Sequence, residues 1–256
     1  RDLHSLRRRQ RQMCIRDSNN IDLSIPKGEI TMLIGANGCG KSTLLSGMSR
    51  LLIPKEGDVL LEGVSIHDYK AKDLSKKLAI LPQGPIAPEG ITVKELCYFG
   101  RNPYKNLFGS RTKEDDDMVQ WAIEATGLKE FANRQLDSLS GGQRQRAWIA
   151  MALTQNTDIL LLDEPTTYLD LAYQIEILEL LKDLNKKTKK TIVTVIHELN
   201  QAARYADNLV CMKKGKIYSQ GRVETVFTEN MLKDVFGVDS IVILDPITSR
   251  PMCIPK

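Results

Sequence analysis

Several things are missing from this 256-residue chain, and each absence narrows what it can be. No apolar run approaches the roughly 18 residues that a membrane-spanning helix needs. The chain is therefore not expected to cross a membrane by itself. The five cysteines, Cys14, Cys39, Cys97, Cys211 and Cys253, include no C-x-x-C pair. That argues against a disulfide framework or a zinc site and makes a reducing compartment the default. There is no internal repeat, and no heptad pattern is sustained. Excess charge is also missing from most of the chain. Six arginines against two aspartates in residues 1–18 account for the whole net charge of +4, and the other 30 basic and 30 acidic residues balance. A nucleic-acid footprint is thus not expected. With 42% hydrophobic and 27% charged residues, the composition is that of a globular protein large enough to bury a sizeable core.

Residues 1–18 have neither helical nor strand periodicity. The run Arg7–Gln12 could be a basic targeting or RNA-binding arm. No apolar stretch follows it, which excludes a secretory signal. A third explanation fits better. Met13–Ser18 is what ATG-TGT-ATA-AGA-GAC-AG encodes, and that resembles the end of a transposase adaptor used in sequencing libraries. Residues 1–18 are expected to be translated adaptor standing in place of the native start.

What is present centres on Gly35, Ala36, Asn37, Gly38, Cys39, Gly40, Lys41, Ser42 and Thr43, which fit the phosphate-loop pattern G-x-x-x-x-G-K-[ST]. Glycines let backbone N–H groups turn toward phosphate oxygens, and a helix opening at Lys41 adds its positive end. Lys41 supplies a point charge, and the Ser42 hydroxyl can hold Mg²⁺. Glu29–Ile34 reads as the strand leading in, and Thr43–Met48 as the helix leading out.

The remaining chain alternates strands and helices, which implies an α/β fold with a parallel sheet and right-handed crossovers. Asn20–Ile25 alternates like a half-buried strand, and Asp58–Glu62 reads as another. A short helix near 71–77 precedes the strand Leu78–Pro82 and Gln83. Helical patterning follows, clearest over Asp115–Ala125, with a second helix near Leu128–Asn133. Ile159–Leu162 and Thr191–Ile196 are all-apolar or nearly so, as strands buried on both faces are. The first ends at Asp163-Glu164 and the second at His197. Leu171–Leu184 is an amphipathic helix. Asn185–Thr188, which faintly resembles a guanine-reading motif, reads as its solvated end. Asn208–Met212 and Lys216–Ser219 form a hairpin, and the tail holds a short helix and the strand Ser240–Leu244. Adjacent residues of a strand point oppositely, so Asp163 and Glu164 could do different work.

Leu139-Ser140-Gly141-Gly142-Gln143, together with the phosphate loop and Asp163-Glu164, gives the chain a clear resemblance to the ATP-binding subunit of an ABC transporter over about residues 19–256. The fold this implies is a RecA-like P-loop NTPase: a parallel sheet core, an antiparallel β subdomain and an inserted α-helical subdomain. One ATPase domain is expected, with its core in 19–86 and 141–256 and the helical insertion in 87–140. By resemblance, ATP and Mg²⁺ are the cofactors, with Ser42, Gln83 and Asp163 holding the ion. Glu164 polarises the attacking water, and His197 contacts the γ-phosphate. Ser140, Gly141, Gly142 and Gln143 serve the ATP of a second copy arranged head to tail, and Asp170 lies in the dimer-contact loop. Two membrane permease subunits are expected near the Gln83 loop and helical subdomain, with a periplasmic or lipoprotein binding protein acting indirectly. The resemblance places the chain peripherally on the cytoplasmic side of the cell membrane.

Gly100–Tyr104, Thr166–Asp170, and Phe236–Asp239 before Pro251–Pro255 further resemble the importer group for ferric siderophores, haem and cobalamin. Ferric siderophore is the favoured cargo, with haem or cobalamin as alternatives. A soluble ATPase of iron–sulfur cluster assembly is a reading of another class. A nucleotide-binding regulator without turnover is a further one, against which Glu164 and His197 argue. Two expectations concern the loop itself. Cys39 stands near a helix N-terminus, so its thiol is expected to ionise more easily and to be sensitive to oxidation. The family stacks adenine on an aromatic upstream of the loop; residues 1–18 contain none, so weaker ATP binding is expected.

Overall fold

The computed structural model describes residues 21–105 and 110–256. The adaptor-like segment and the expected adenine platform lie outside the described residues. In chain order the first elements are β1 (Ile30–Gly35), α1 (Lys41–Met48), β2 (Leu60–Leu61), β3 (Val64–Ser65), α2 (Ala71–Leu74) and β4 (Leu78–Leu81). Next come α3 (Val93–Phe99), α4 (Lys113–Ala125), α5 (Gly141–Thr154), β5 (Ile159–Leu162), α6 (Leu171–Thr188) and β6 (Thr191–Val195). The chain closes with α7 (Leu199–Tyr205), β7 (Asn208–Lys213), β8 (Lys216–Arg222), α8 (Val223–Val226), α9 (Glu229–Met231), β9 (Ser240–Leu244) and β10 (Pro251–Pro255). The chain divides into two compact units, one holding residues up to Ser65 and from Val193 onward, the other Ile66–Ile192.

In the first unit, β1 pairs in parallel with β7, and β7 pairs antiparallel with β8. Every residue of β1 is buried, which explains its unbroken apolar run. The N–H of Ile196, just after β6, donates to Leu33 O at 3.2 Å, so that strand ends beside β1. Lys214 and Gly215 take left-handed φ of 47° and 77° and make the tight β7–β8 turn.

Two sequence expectations are corrected here. Residues 21–26 form no strand: Ile21, Leu23 and Ile25 are half-buried and alternate with exposed neighbours, but no ladder pairs them. Asp22 O accepts a bond from Gln220 Nε2 at 3.3 Å. Alternation records a half-buried face, whereas a strand also needs a partner's hydrogen bonds. The strand expected over Asp58–Glu62 shrinks to Leu60–Leu61, because the chain reverses at Glu62-Gly63, both left-handed, and pairs with Val64–Ser65. The tail also holds one strand more than expected. Pro251–Pro255 pairs antiparallel with Ser240–Leu244, and its flanking prolines disguise it, since proline belongs only at strand starts and edges.

In the second unit, β4 and β5 run in parallel with Leu81 opposite Leu162. Three helices open with reciprocal caps, at Thr92 with Glu95, Thr112 with Asp115, and Ser140 with Gln143. The expected helix near Leu128–Asn133 is only a 3₁₀ turn, Lys129–Phe131. Asn185 is not a solvated helix end: it is buried, and its Nδ2 donates to Lys190 O at 2.7 Å, which closes the turn after α6. Lys186 and Lys187 beside it are exposed.

The second unit is pinned around Arg101, which is 2% exposed. Its Nε donates to Asp115 Oδ1 at 2.7 Å and its NH1 to Thr154 O at 2.9 Å, while its guanidinium stacks on Tyr104 at 3.8 Å. One buried cation thus joins the end of α3 to the start of α4 and the end of α5. Gly100 has an ordinary helical backbone, but a Cβ there would lie 2.1 Å from Thr154 Oγ1 and 2.2 Å from Met151 O.

Candidate active site

The first unit carries the phosphate loop between β1 and α1. Gly35, Gly38 and Gly40 have φ of 151°, 76° and 105°. At Gly35 close approach adds to the conformational demand: a Cβ would meet Met212 O at 2.4 Å and Cys39 Sγ at 2.6 Å. Around Gly38 a Cβ would meet nothing within 4 Å, so the loop opens outward there. Helix α1 follows Gly40 at its N-cap, with no side-chain cap and no acid in its first turn, so its positive end meets no carboxylate of its own helix.

Lys41 is buried, and its Nζ donates to Gly35 O at 2.8 Å and to Ala36 O at 3.3 Å. The ammonium therefore braces the loop that it also charges. The β7–β8 turn supports the loop from behind, with Gly215 N–H donating to Cys39 O at 3.0 Å. The hairpin itself is legible in the sequence, but its contact with the phosphate loop is not, because nothing in a hairpin's own pattern says which loop it will buttress.

The expectation for Cys39 is overturned. Burial pushes its thiol up, and the opposing attraction of Lys41 is the smaller effect. The side chain is enclosed behind the loop rather than presented at the helix end, so ionisation and attack by oxidants are both disfavoured. The four described cysteines are all free and buried. His197 is exposed, one residue past the bond that ties Ile196 to β1.

The second unit carries Gln83, Asp163 and Glu164. Because β4 and β5 run in register, Gln83 and Glu164 each lie two residues past a paired position, and both emerge at the same sheet edge. They meet: Gln83 Nε2 donates to Glu164 Oε2 at 2.6 Å. The Asp163 N–H donates to Leu81 O at 2.9 Å, which holds the Asp163 backbone against β4. Strand alternation is not what separates the two carboxylates. β5 ends at Leu162, and Glu164 turns into the left-handed region at φ 53°, which redirects its side chain.

Ser140 caps α5, with its Oγ accepting from Gln143 N–H at 3.3 Å while Gln143 Oε1 accepts from Ser140 N–H at 3.1 Å. Gly142 has a packing role besides any role toward a ligand: a Cβ there would lie 2.7 Å from the Tyr173 ring. Asp170 opens α6 and is exposed. Before it stands Tyr168, 95% exposed and left-handed at φ 64°.

The residues assigned to Mg²⁺ offer a hydroxyl, an amide and a carboxylate, all oxygen donors that suit a hard cation. With Gln83 Nε2 turned to Glu164, its Oε1 is the atom suited to a cation. Among the described residues no three His, Cys, Asp or Glu side chains cluster as a metal site. Mg²⁺ bound with nucleotide uses few carboxylates and several waters and phosphate oxygens, so this donor set fits it.

The ABC transporter family model matches residues 18–167. The petrobactin import ATP-binding protein FpuD of Bacillus anthracis is 53% identical over 237 residues, covering 93% of this chain and 87% of the relative. The iron(3+)-hydroxamate import ATP-binding protein FhuC of Bacillus subtilis is 52% identical over 235 residues, covering 92% and 87%. Among solved structures, a dimeric bacterial ABC transporter cassette superposes with a TM-score of 0.70 at 31% identity, covering 80% of this chain and 90% of that one.

Proposed function

Because this chain belongs to the ABC transporter family, we propose that it is the ATP-hydrolysing motor subunit of a ferric-siderophore importer. The observation that carries the hydrolytic part is the 2.6 Å contact between Gln83 and Glu164 at the edge of a parallel strand pair. Ligands of open α/β sheets bind at such strand ends. The cargo class follows from relatives that import petrobactin and iron(3+)-hydroxamate.

In this reading Gly35–Thr43 cradle the phosphates, with Lys41 on the terminal ones. Ser42, Gln83 and Asp163 would hold Mg²⁺, which would supply positive charge to the phosphate oxygens. Glu164 orients a water that adds to the γ-phosphorus as the bond to the ADP oxygen breaks. His197 and, from a second copy, Ser140–Gln143 stabilise the charge that gathers on the γ-phosphate. The chemistry is positioning plus electrostatics, as in phosphoryl transfer generally.

The dimer places Asp170 and its loop against the second copy. Tyr168, Leu171, Tyr173 and Ile175 expose apolar surface on that stretch, which supports the assignment. The helical insertion proposed for 87–140 carries α3 and α4, and it and the Gln83 loop meet the permease. Among the described residues no helix is long and apolar enough to span a membrane. The permease holds the chain at the cytoplasmic face in this reading.

Glu164→Gln keeps the size and shape of the side chain but removes its charge. The variant is expected to bind ATP, to lose turnover and to elute as a dimer in gel filtration with Mg²⁺-ATP. A monomer under saturating ATP would contradict the two-copy mechanism.

A further inference from the structure

The Glu164 carboxylate is held from two sides. Gln83 Nε2 donates to Oε2 at 2.6 Å, and Thr167 Oγ1 donates to the same oxygen at 3.0 Å. The Thr167 N–H also donates to Glu164 O at 3.3 Å, so residues 164 and 167 are joined through backbone and side chain alike. Pro165 and Thr166 between them are buried, which anchors the turn from within. From this geometry we infer that Thr167 is a positioning residue for ATP hydrolysis: its hydroxyl sets the plane of the Glu164 carboxylate. The inference rests on the reading of Glu164 as the group that orients the attacking water.

The physical case is torsional. The last torsion of a glutamate is broad, so its carboxylate plane is poorly fixed by the chain alone. A single donor leaves the group free to swing about that contact. Two donors on one oxygen, one from the end of β4 and one from the turn after β5, define both its position and its plane. Orientation of this kind is worth large factors in rate when the group must aim a small nucleophile. Thr167 does not need to touch nucleotide or water for this. It also stands directly before Tyr168 and three residues before Asp170, so the turn that aims the carboxylate is the one assigned to the second copy.

Steady-state ATP hydrolysis by the full chain with its permease tests this, using Thr167→Val, Thr167→Ser and Glu164→Gln. Thr167→Val removes the hydroxyl and nearly keeps the shape. It is expected to lower kcat about tenfold, the scale of one lost hydrogen bond to a charged group, with KM for ATP unchanged. Thr167→Ser restores the donor and is expected to turn over near the wild-type rate. The inference is overturned if Thr167→Val keeps full kcat, if it changes only KM, or if Thr167→Ser is as slow as Thr167→Val. Failure of the underlying reading looks different: Glu164→Gln itself would hydrolyse ATP at the wild-type rate.

Discussion

Lys41 is 5% exposed, and its Nζ finds hydrogen-bond partners in the carbonyls of Gly35 and Ala36. An ammonium about 4 Å from a unit negative charge contributes about 4 kcal/mol at an effective dielectric of 20. Lys41→Ala is therefore expected to weaken ATP binding by about a hundredfold or more, and titration calorimetry on the folded variant would show it. Near-native affinity would mean that the loop backbone alone grips the phosphates. Lys41, Ser42 and Glu164 are legible in the sequence because the motif fixes residue type and spacing together. The left-handed turn at Glu164 and the Thr167 contact are not, because backbone strain and three-residue side-chain reach leave no compositional trace. Cys39 shows the opposite failure. Its place beside a helix N-terminus suggests a reactive thiol, and burial, which the sequence does not display, reverses that.

Helices α3, α4 and α5 share one polar anchor. Asp115 takes the Thr112 cap on Oδ2 and the Arg101 guanidinium on Oδ1. Burial alone would raise its pKa, but the Thr112 N–H and Arg101 bonds outweigh it and hold the carboxyl below its ordinary 3.8. The linkage sign follows: a depressed folded pKa stabilises the fold above the unfolded value, and that stability is lost as pH falls below about 3.8 through the folded value. Asp115→Asn removes the negative charge nearest the buried Arg101, leaving it Glu114 at 3.6 Å and Thr154 O, and is expected to cost about 2 kcal/mol at neutral pH. It should also flatten the acid limb of stability, which urea unfolding at pH 7 and pH 3 would measure. Equal acid limbs for variant and wild type would remove Asp115 from the account. The three capping boxes can be read in advance from Thr or Ser followed three residues later by Glu, Asp or Gln. Arg101 cannot, since one arginine among many looks solvated until three elements close over it.

At the scale of the whole molecule, the parallel strands are the most legible part. β1 and β6 are buried along their whole length, and such strands must be apolar throughout. The β9–β10 hairpin is less so, because its second strand begins and ends on proline. The family and its cargo class rest on long stretches of matched sequence rather than on any one motif. Cargo does not touch this subunit in the proposed function, so no side chain in it can name the siderophore. In the proposed function, ATP hydrolysis by this chain drives ferric-siderophore import. Its most direct test is uptake of radioactive iron as a ferric hydroxamate by vesicles holding the chain, its permease and the binding protein. Uptake is expected to require Mg²⁺-ATP on the cytoplasmic face and to disappear with Glu164→Gln. Iron accumulation that continues with Glu164→Gln, or ATP hydrolysis with no iron moved, would contradict it.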